Sequence, residues 1–152
     1  MQENFNRCHL NKAKAVAWDA LEPDERWLGQ ADVVIADIPC SGLGVIGRKR
    51  DIKYKMTPQA VQDIVELQEK ILKVAASYVK KGGKLLFSTC TVNKDENEAH
   101  VKWIQDTLKM TPVSLNGTLP GLVHSPTTQQ GFVQLIPGMQ DTDGFFISVF
   151  EK

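Results

Sequence analysis

A chain of 152 residues with 42% apolar side chains has the size of one domain and can bury a core. Its 18 basic and 18 acidic residues cancel, so bulk charge points to no nucleic-acid partner, and any such binding must come from a local patch. The polar opening "MQENFNRCHL" lacks a signal-peptide core, and no apolar run approaches the roughly 18 residues of a membrane helix, which argues for a soluble cytoplasmic protein and against a membrane partner.

In chain order, "KAKAVAWDA" (12–20) reads as a short strand ending at Asp19. "ADVVIADIP" (31–39) is a β-branched apolar run, suited to a parallel strand buried on both faces. A basic loop, "GRKRDIKYKM", precedes a helix with Thr57 as N-cap and Pro58 at its first position. Val61, Ile64, Val65, Ile71, Leu72, Ala75, Tyr78 and Val79 follow at mostly helical spacing, and Gly82-Gly83 is expected to end that helix. "KLLFSTC" (84–90) is the next strand. A second helix, capped by Asn93 with Glu96 three residues on, carries Val101, Ile104 and Leu108. "VQLIP" and "GFFISVFEK" close the chain as strands. The alternation predicts an α/β fold with a mostly parallel sheet in a single domain spanning residues 1–152.

Asp19, Asp37, Cys40 and Cys90 fall at or just after the carboxyl ends of predicted strands, where ligands bind in open α/β sheets. If the strands ending at Asp37 and Thr89 are neighbours, about 4.8 Å apart, Cys40 and Cys90 overlook one crevice. An isolated cysteine is more often a small core residue than a reactive one. Pro39-Cys40-Ser41-Gly42 is turn chemistry, however, and Thr89 and Thr91 make the surroundings of Cys90 partly polar. Three cysteines at wide spacing form no disulfide framework, and no CxxC pair suggests zinc or another metal. Cys8, beside His9, reads as structural. Asp19 and Asp37 could each merely cap a turn.

Gly42, Gly44 and Gly47 spell GxGxxG after a strand, but no helix starts there and the acids about 20 residues on fall inside the next helix. That rules against a dinucleotide fingerprint. The glycines instead allow a backbone to approach a planar substrate. Arg48, Lys49, Arg50, Lys53 and Lys55 form the strongest local charge feature. Such a run is usually a solvated face, but beside two thiols it is placed to hold phosphates of RNA.

Two thiols and an aspartate suit one chemistry in particular. A pyrimidine C5 is a poor nucleophile until a thiolate adds to C6; the adduct must afterwards lose the C5 proton and expel the thiol. Spacing alone does not say which thiol attacks.

The segments "DIPCSGLGVIGRKRDIKYK", "LQEKIL", "GGKLLFSTCT", "ENE" and "TDGFFISVFEK" resemble the Sun/Fmu family of RNA 5-methylcytosine methyltransferases over nearly the whole chain. The resemblance implies a Rossmann-like core, S-adenosylmethionine as methyl donor and ribosomal RNA as substrate. It implies Cys90 as the nucleophile at cytosine C6, Cys40 as the thiol assisting product release, and Asp37 against a flipped cytosine and near the cofactor. It also implies Asp19 and Pro39 beside the cofactor. The family's Gly-rich cofactor loop and the acid ending its second strand have no counterpart here, and "MQENFNRCHL" is similar to the end of the helix after that strand. The resemblance therefore implies a partial domain whose first two strands are missing. One flank of "DVVIAD" is then an open edge, predicting a rearranged sheet or an oligomer and little cofactor binding by this chain alone. The alternative is a non-catalytic remnant that binds RNA or a protein partner through the basic loop and that edge. Adenine amino-methylation is disfavoured, since "DIPC" departs from the Asn/Asp-Pro-Pro-aromatic loop it wants.

Overall fold

The computed structural model describes residues 1–118 and 126–152. Five strands form one sheet: β1 (Ala31–Asp37), β2 (Val79–Thr89), β3 (Thr111–Pro112), β4 (Phe132–Leu135) and β5 (Phe145–Glu151). β1 pairs with β2 in parallel and β2 with β5 antiparallel, while β3 and β4 share the other edge of β5. β1 to β4 thus all run one way and β5 runs against them, the mixed α/β sheet expected from the sequence. The helices are α1 (Gln2–Arg7), α2 (Ile52–Lys55), α3 (Pro58–Tyr78) and α4 (Glu98–Trp103), the last continued by a π turn over Ile104–Leu108. Among the described residues no helix is long and apolar enough to cross a membrane.

Residues paired across a sheet share a face. Register therefore puts Val34 and Ala36 with Leu85 and Phe87, and these with Phe150 and Ser148. That face carries the core: Ile71, Leu72, Ala75 and Ala76 of α3, then Val101 and Ile104 beyond it, packed with Phe87, Phe132, Phe146 and Phe150. The opposite face of β1 is bare. Val33 is exposed and Ile35 is 70% exposed, which corrects the expectation of burial on both faces: no described element covers that side or pairs with the outer edge of β1.

The same gap explains a second correction. Residues 12–20 form no strand, because an extended segment without a neighbour has no ladder to join. Val16 and Trp18 stand exposed across a trough of about 560 Å³ that runs along β1. The sheet is not rearranged; it ends at β1.

Other boundaries moved for local reasons. Thr57 caps α3 as expected, its Oγ1 accepting from Ala60 N–H at 3.1 Å. The helix stops at Tyr78, before the glycine pair, and Gly82-Gly83 lies inside β2. Gly83 is required by close approach: a Cβ there would meet the Ala31 and Asp32 carbonyl oxygens at 2.9 Å. Asn93 does not cap a helix. Its Oδ1 accepts from Asp95 N–H at 2.9 Å in a turn, and α4 starts after Asn97. Cys8, expected to be structural, ends α1 in an exposed position.

Two outcomes follow. Thr57→Ala removes the cap bond and should lower unfolding free energy by about 1 kcal/mol in urea titration. His100 is 1% exposed, with ring centroids of Phe87 at 5.9 Å and Trp103 at 6.1 Å, and burial pushes its pKa from 6.5 down to about 4. Between those values the unfolded chain binds a proton that the native chain refuses, so stability should fall as pH drops from about 6.5 towards 4. The total is of order 3 kcal/mol. Urea midpoints measured at pH 7, 6 and 5 should show the fall, and His100→Gln should flatten it.

Candidate active site

The β1–β2 register sets Asp37 opposite Ser88, and the Ser88 hydroxyl donates to Asp37 Oδ1 at 3.1 Å. Three residues past Asp37 and two past Ser88, the loops bring Cys40 Sγ and Cys90 Sγ to 3.2 Å. One residue further, the Ser41 and Thr91 hydroxyls lie 2.8 Å apart. The two thiols the sequence singled out therefore share one crevice at the carboxyl ends of adjacent parallel strands. Both are half-buried. Burial, and then the hydrogen bond to Cys90, pushes the Cys40 thiol from 9.0 up to about 12. Cys40 therefore holds its proton at neutral pH, and either sulfur can donate in the S–H···S contact.

Backbone contacts close the floor. Gly44 N–H donates to the Cys90 carbonyl at 3.1 Å, and Gly144 N–H donates to the Gly44 carbonyl at 2.8 Å. A Cβ on Gly44 would meet the Gly144 oxygen at 2.5 Å, and one on Gly144 would meet Gly44 Cα at 2.6 Å. Of the GxGxxG glycines, Gly44 thus serves close approach, here of protein backbone to protein backbone, while Gly42 takes a positive φ of 70° and Gly47 stands in open space.

A buried polar cluster lies behind the thiols. Gln68 Nε2 donates to the Pro39 carbonyl at 2.8 Å and to Glu96 Oε2 at 3.0 Å, while its Oε1 contacts His100 Nε2 at 2.8 Å. With the amide so oriented, His100 donates from Nε2. Glu96 Oε2 also accepts from Ser41 N–H at 2.8 Å. Asn97 Oδ1 accepts from the Thr89 hydroxyl at 2.6 Å, and its Nδ2 donates to the Thr91 carbonyl at 3.0 Å and Gln134 Oε1 at 2.7 Å. Sequence reasoning missed Gln68, Asn97 and His100 as site residues and read Glu96 as a helix cap. The available signal was a run of polar residues on helix faces that otherwise turn inward.

The remaining candidates are more scattered. Arg48, Lys49, Arg50, Lys53 and Lys55 are all exposed in one stretch. Arg48 Nε reaches Asp143 Oδ2 at 2.9 Å, Lys55 pairs with Asp51 at 2.7 Å, and Lys53 Nζ lies 4.8 Å from the Tyr54 ring. Asp37 and Pro39 border the trough along β1, with Trp18 and Ala20 among its other lining residues. Asp19 sits in a turn, its Oδ1 accepting from Leu21 N–H at 2.9 Å, and does not line the trough.

That geometry fits S-adenosylmethionine only in part. Trp18 and the aliphatic wall suit a planar base, and Asp37 stands at the end nearest the thiols. The polar groups elsewhere on the rim are already committed: Asp24 is paired with Arg26 at 2.6 Å, and its N–H donates to the Tyr78 hydroxyl at 2.8 Å. The lining residues supply no further set for a ribose and a charged amino-acid end.

A family model described as "16S rRNA methyltransferase RsmB/F" matches residues 1–151. The probable ribosomal RNA small subunit methyltransferase B of Bacillus subtilis is 38% identical over 155 residues, covering all of this chain and 34% of that protein. The ribosomal RNA small subunit methyltransferase F of Cronobacter sakazakii is 29% identical, covering all of this chain and 32% of that protein. The chain thus spans about a third of the length of these relatives. NSun6 from Pyrococcus horikoshii, solved with SFG, an S-adenosylmethionine analogue, superposes with a TM-score of 0.73 at 25% identity, over 100% of this chain and 38% of that one. A methyltransferase homolog protein from the same organism gives 0.78 at 25% identity, over 99% and 48%. The family uses S-adenosylmethionine, and with a match running from residue 1 to residue 151 this chain belongs to the 16S rRNA methyltransferase RsmB/F family.

Proposed function

We propose that this chain is a single partial methyltransferase domain carrying the covalent half of a cytosine-C5 methylation site for ribosomal RNA in the cytoplasm. The observation that carries the reading is the 3.2 Å approach of Cys40 and Cys90 beside Asp37. Cys90, the thiol that the family resemblance makes the nucleophile, adds to C6 of the base, and the electron pair moves to C5. Asp37 holds the exocyclic amino group and offsets positive charge on the ring as a ring nitrogen gains a proton. The cofactor, when bound, supplies an electrophilic methyl group. The C5 proton passes to Cys40 as Cys40 gives its own to sulfur, and cleavage of the S–C6 bond then restores aromaticity. Cys40 is within reach to relay a proton to the departing Cys90 sulfur. The basic loop holds phosphates, with Lys49, Arg50 and Lys53 presented to solvent.

The partial fit of the trough means that cofactor binding needs more than the described residues. Calorimetry should therefore detect no micromolar binding of S-adenosylmethionine to the 152-residue chain, with light scattering reporting its size. Micromolar binding by a monomer would overturn the cofactor-deficient reading. The bare edge and face of β1 favour a second reading, in which the chain docks another polypeptide or a second copy there; a stable dimer in the same experiment supports it.

Catalysis is tested by grafting residues 1–152 in place of the matching third of the Bacillus subtilis relative and offering RNA containing 5-fluorocytosine. The graft should form a denaturant-resistant adduct. Cys90→Ala should abolish it, and Cys40→Ala should leave it intact while turnover on ordinary RNA stalls as an accumulated adduct. An adduct that survives Cys90→Ala sinks the assignment. Lys49→Ala and Arg50→Ala should each weaken RNA binding and lower the salt slope by about one.

A further inference from the structure

Two adjacent residues, Glu96 and Asn97, hold the two thiol loops. Glu96 accepts from the N–H of Ser41, while Gln68, itself bonded to Glu96, takes the carbonyl of Pro39. The peptide groups on both sides of Cys40 are therefore tied to this pair. Asn97 holds the two neighbours of Cys90, accepting from the Thr89 hydroxyl before it and donating to the Thr91 carbonyl after it. Glu96, Asn97 and Gln68 are each 0% exposed. Burying such groups opposes folding unless their bonds are made. These bonds converge on the residues flanking the two thiols, plus His100 and Gln134 as backing.

We propose that Glu96 and Asn97 are positioning residues for the thiol pair, Glu96 with Gln68 fixing Cys40 and Asn97 fixing Cys90. One peptide bond then registers the two loops to each other. The assignment of separate reaction steps to the two residues rests on the methylation reading above; the positioning itself does not.

The positioning is read on the 152-residue chain in a Cys8→Ala background. Phenylarsine oxide bridges two close thiols: both S–H protons leave with the oxide oxygen as water, two As–S bonds form, and arsenic stays trivalent. The parent chain should take up one equivalent, bridged between Cys40 and Cys90. Glu96→Leu should slow bridging by on the order of tenfold to a hundredfold, as a displacement near 1 Å does to a reacting pair. Glu96→Gln keeps an acceptor for Ser41 and Gln68 and replaces only Oε1, which has no hydrogen-bond partner among the described residues; it should bridge at the parent rate. Gln68→Met, close in shape, loses the Pro39 tie, the Glu96 link and the bond to His100 Nε2 and should fall between; it carries the test if Glu96→Leu does not fold. Equal rates in all variants would overturn the proposal.

In the graft with 5-fluorocytosine RNA, Asn97→Leu should reduce adduct formation as Cys90→Ala does. On ordinary RNA, Glu96→Leu should accumulate adduct as Cys40→Ala does. Identical losses in both variants would overturn the division between them. A parent graft forming no adduct counts against the methylation reading, and the arsenical rates then decide the positioning alone.

Discussion

The parallel pairing of β1 with β2 is the constraint from which the site follows. Asp37 faces Ser88 because Val33 to Asp37 pair in unbroken register with Lys84 to Ser88. A slip of one residue would turn Asp37 to the other face and move Cys40 past Cys90. The register is fixed at its far end by backbone: Gly83 lies where any Cβ would strike the Ala31 and Asp32 carbonyls, and the ladder shifts there between Ala31 and Val33. It is fixed on one face by packing, since Val34 and Ala36 share a side with Leu85 and Phe87 under α3. Strand geometry thus delivers two sulfur atoms to contact without a covalent bond between them.

The molecule divides unequally about this pairing. On the β2–β5 side, aromatic rings and a hydrogen-bonded polar cluster fill the space under α3 and α4, with Phe87 and Phe146 at 5.6 Å. On the β1 side the sheet simply stops, leaving apolar side chains and unpaired peptide groups facing a trough. The thiols sit on the boundary. Their loops are held from the packed side, while Asp37 and Pro39 look into the open one. The thiol loops are therefore supported by the packed half of the molecule, and the trough is not.

Much of this was legible in the sequence. The β-branched run of β1, the Thr57-Pro58 start of α3 and the closing strands have strong local signals, and strand-end placement of Cys40 and Cys90 foretold one crevice. Local signals failed where the cause was non-local. Residues 12–20 have strand composition but no partner, so propensity had nothing to act on. Asn93 and Glu96 have the spacing of a capping box, yet Glu96 turns inward because Ser41 N–H and Gln68 need an acceptor. Gln68 and Asn97 look like ordinary polar helix residues until the fold shows what lies opposite them. Asp19 was read as a strand terminus and is instead a turn residue bonded to its own loop.

The contact between Gly44 and Gly144 bears on how this chain can vary. A clash between two side chains can be relieved by trimming either, so such positions can change together. Here each absent Cβ would meet the other residue's main chain, which no substitution can shorten. Neither glycine has a compensating partner, and each is constrained on its own account. Although 100 residues apart, they form a seam with no second-site remedy, and damage there would reach Cys90 through the Gly44 amide.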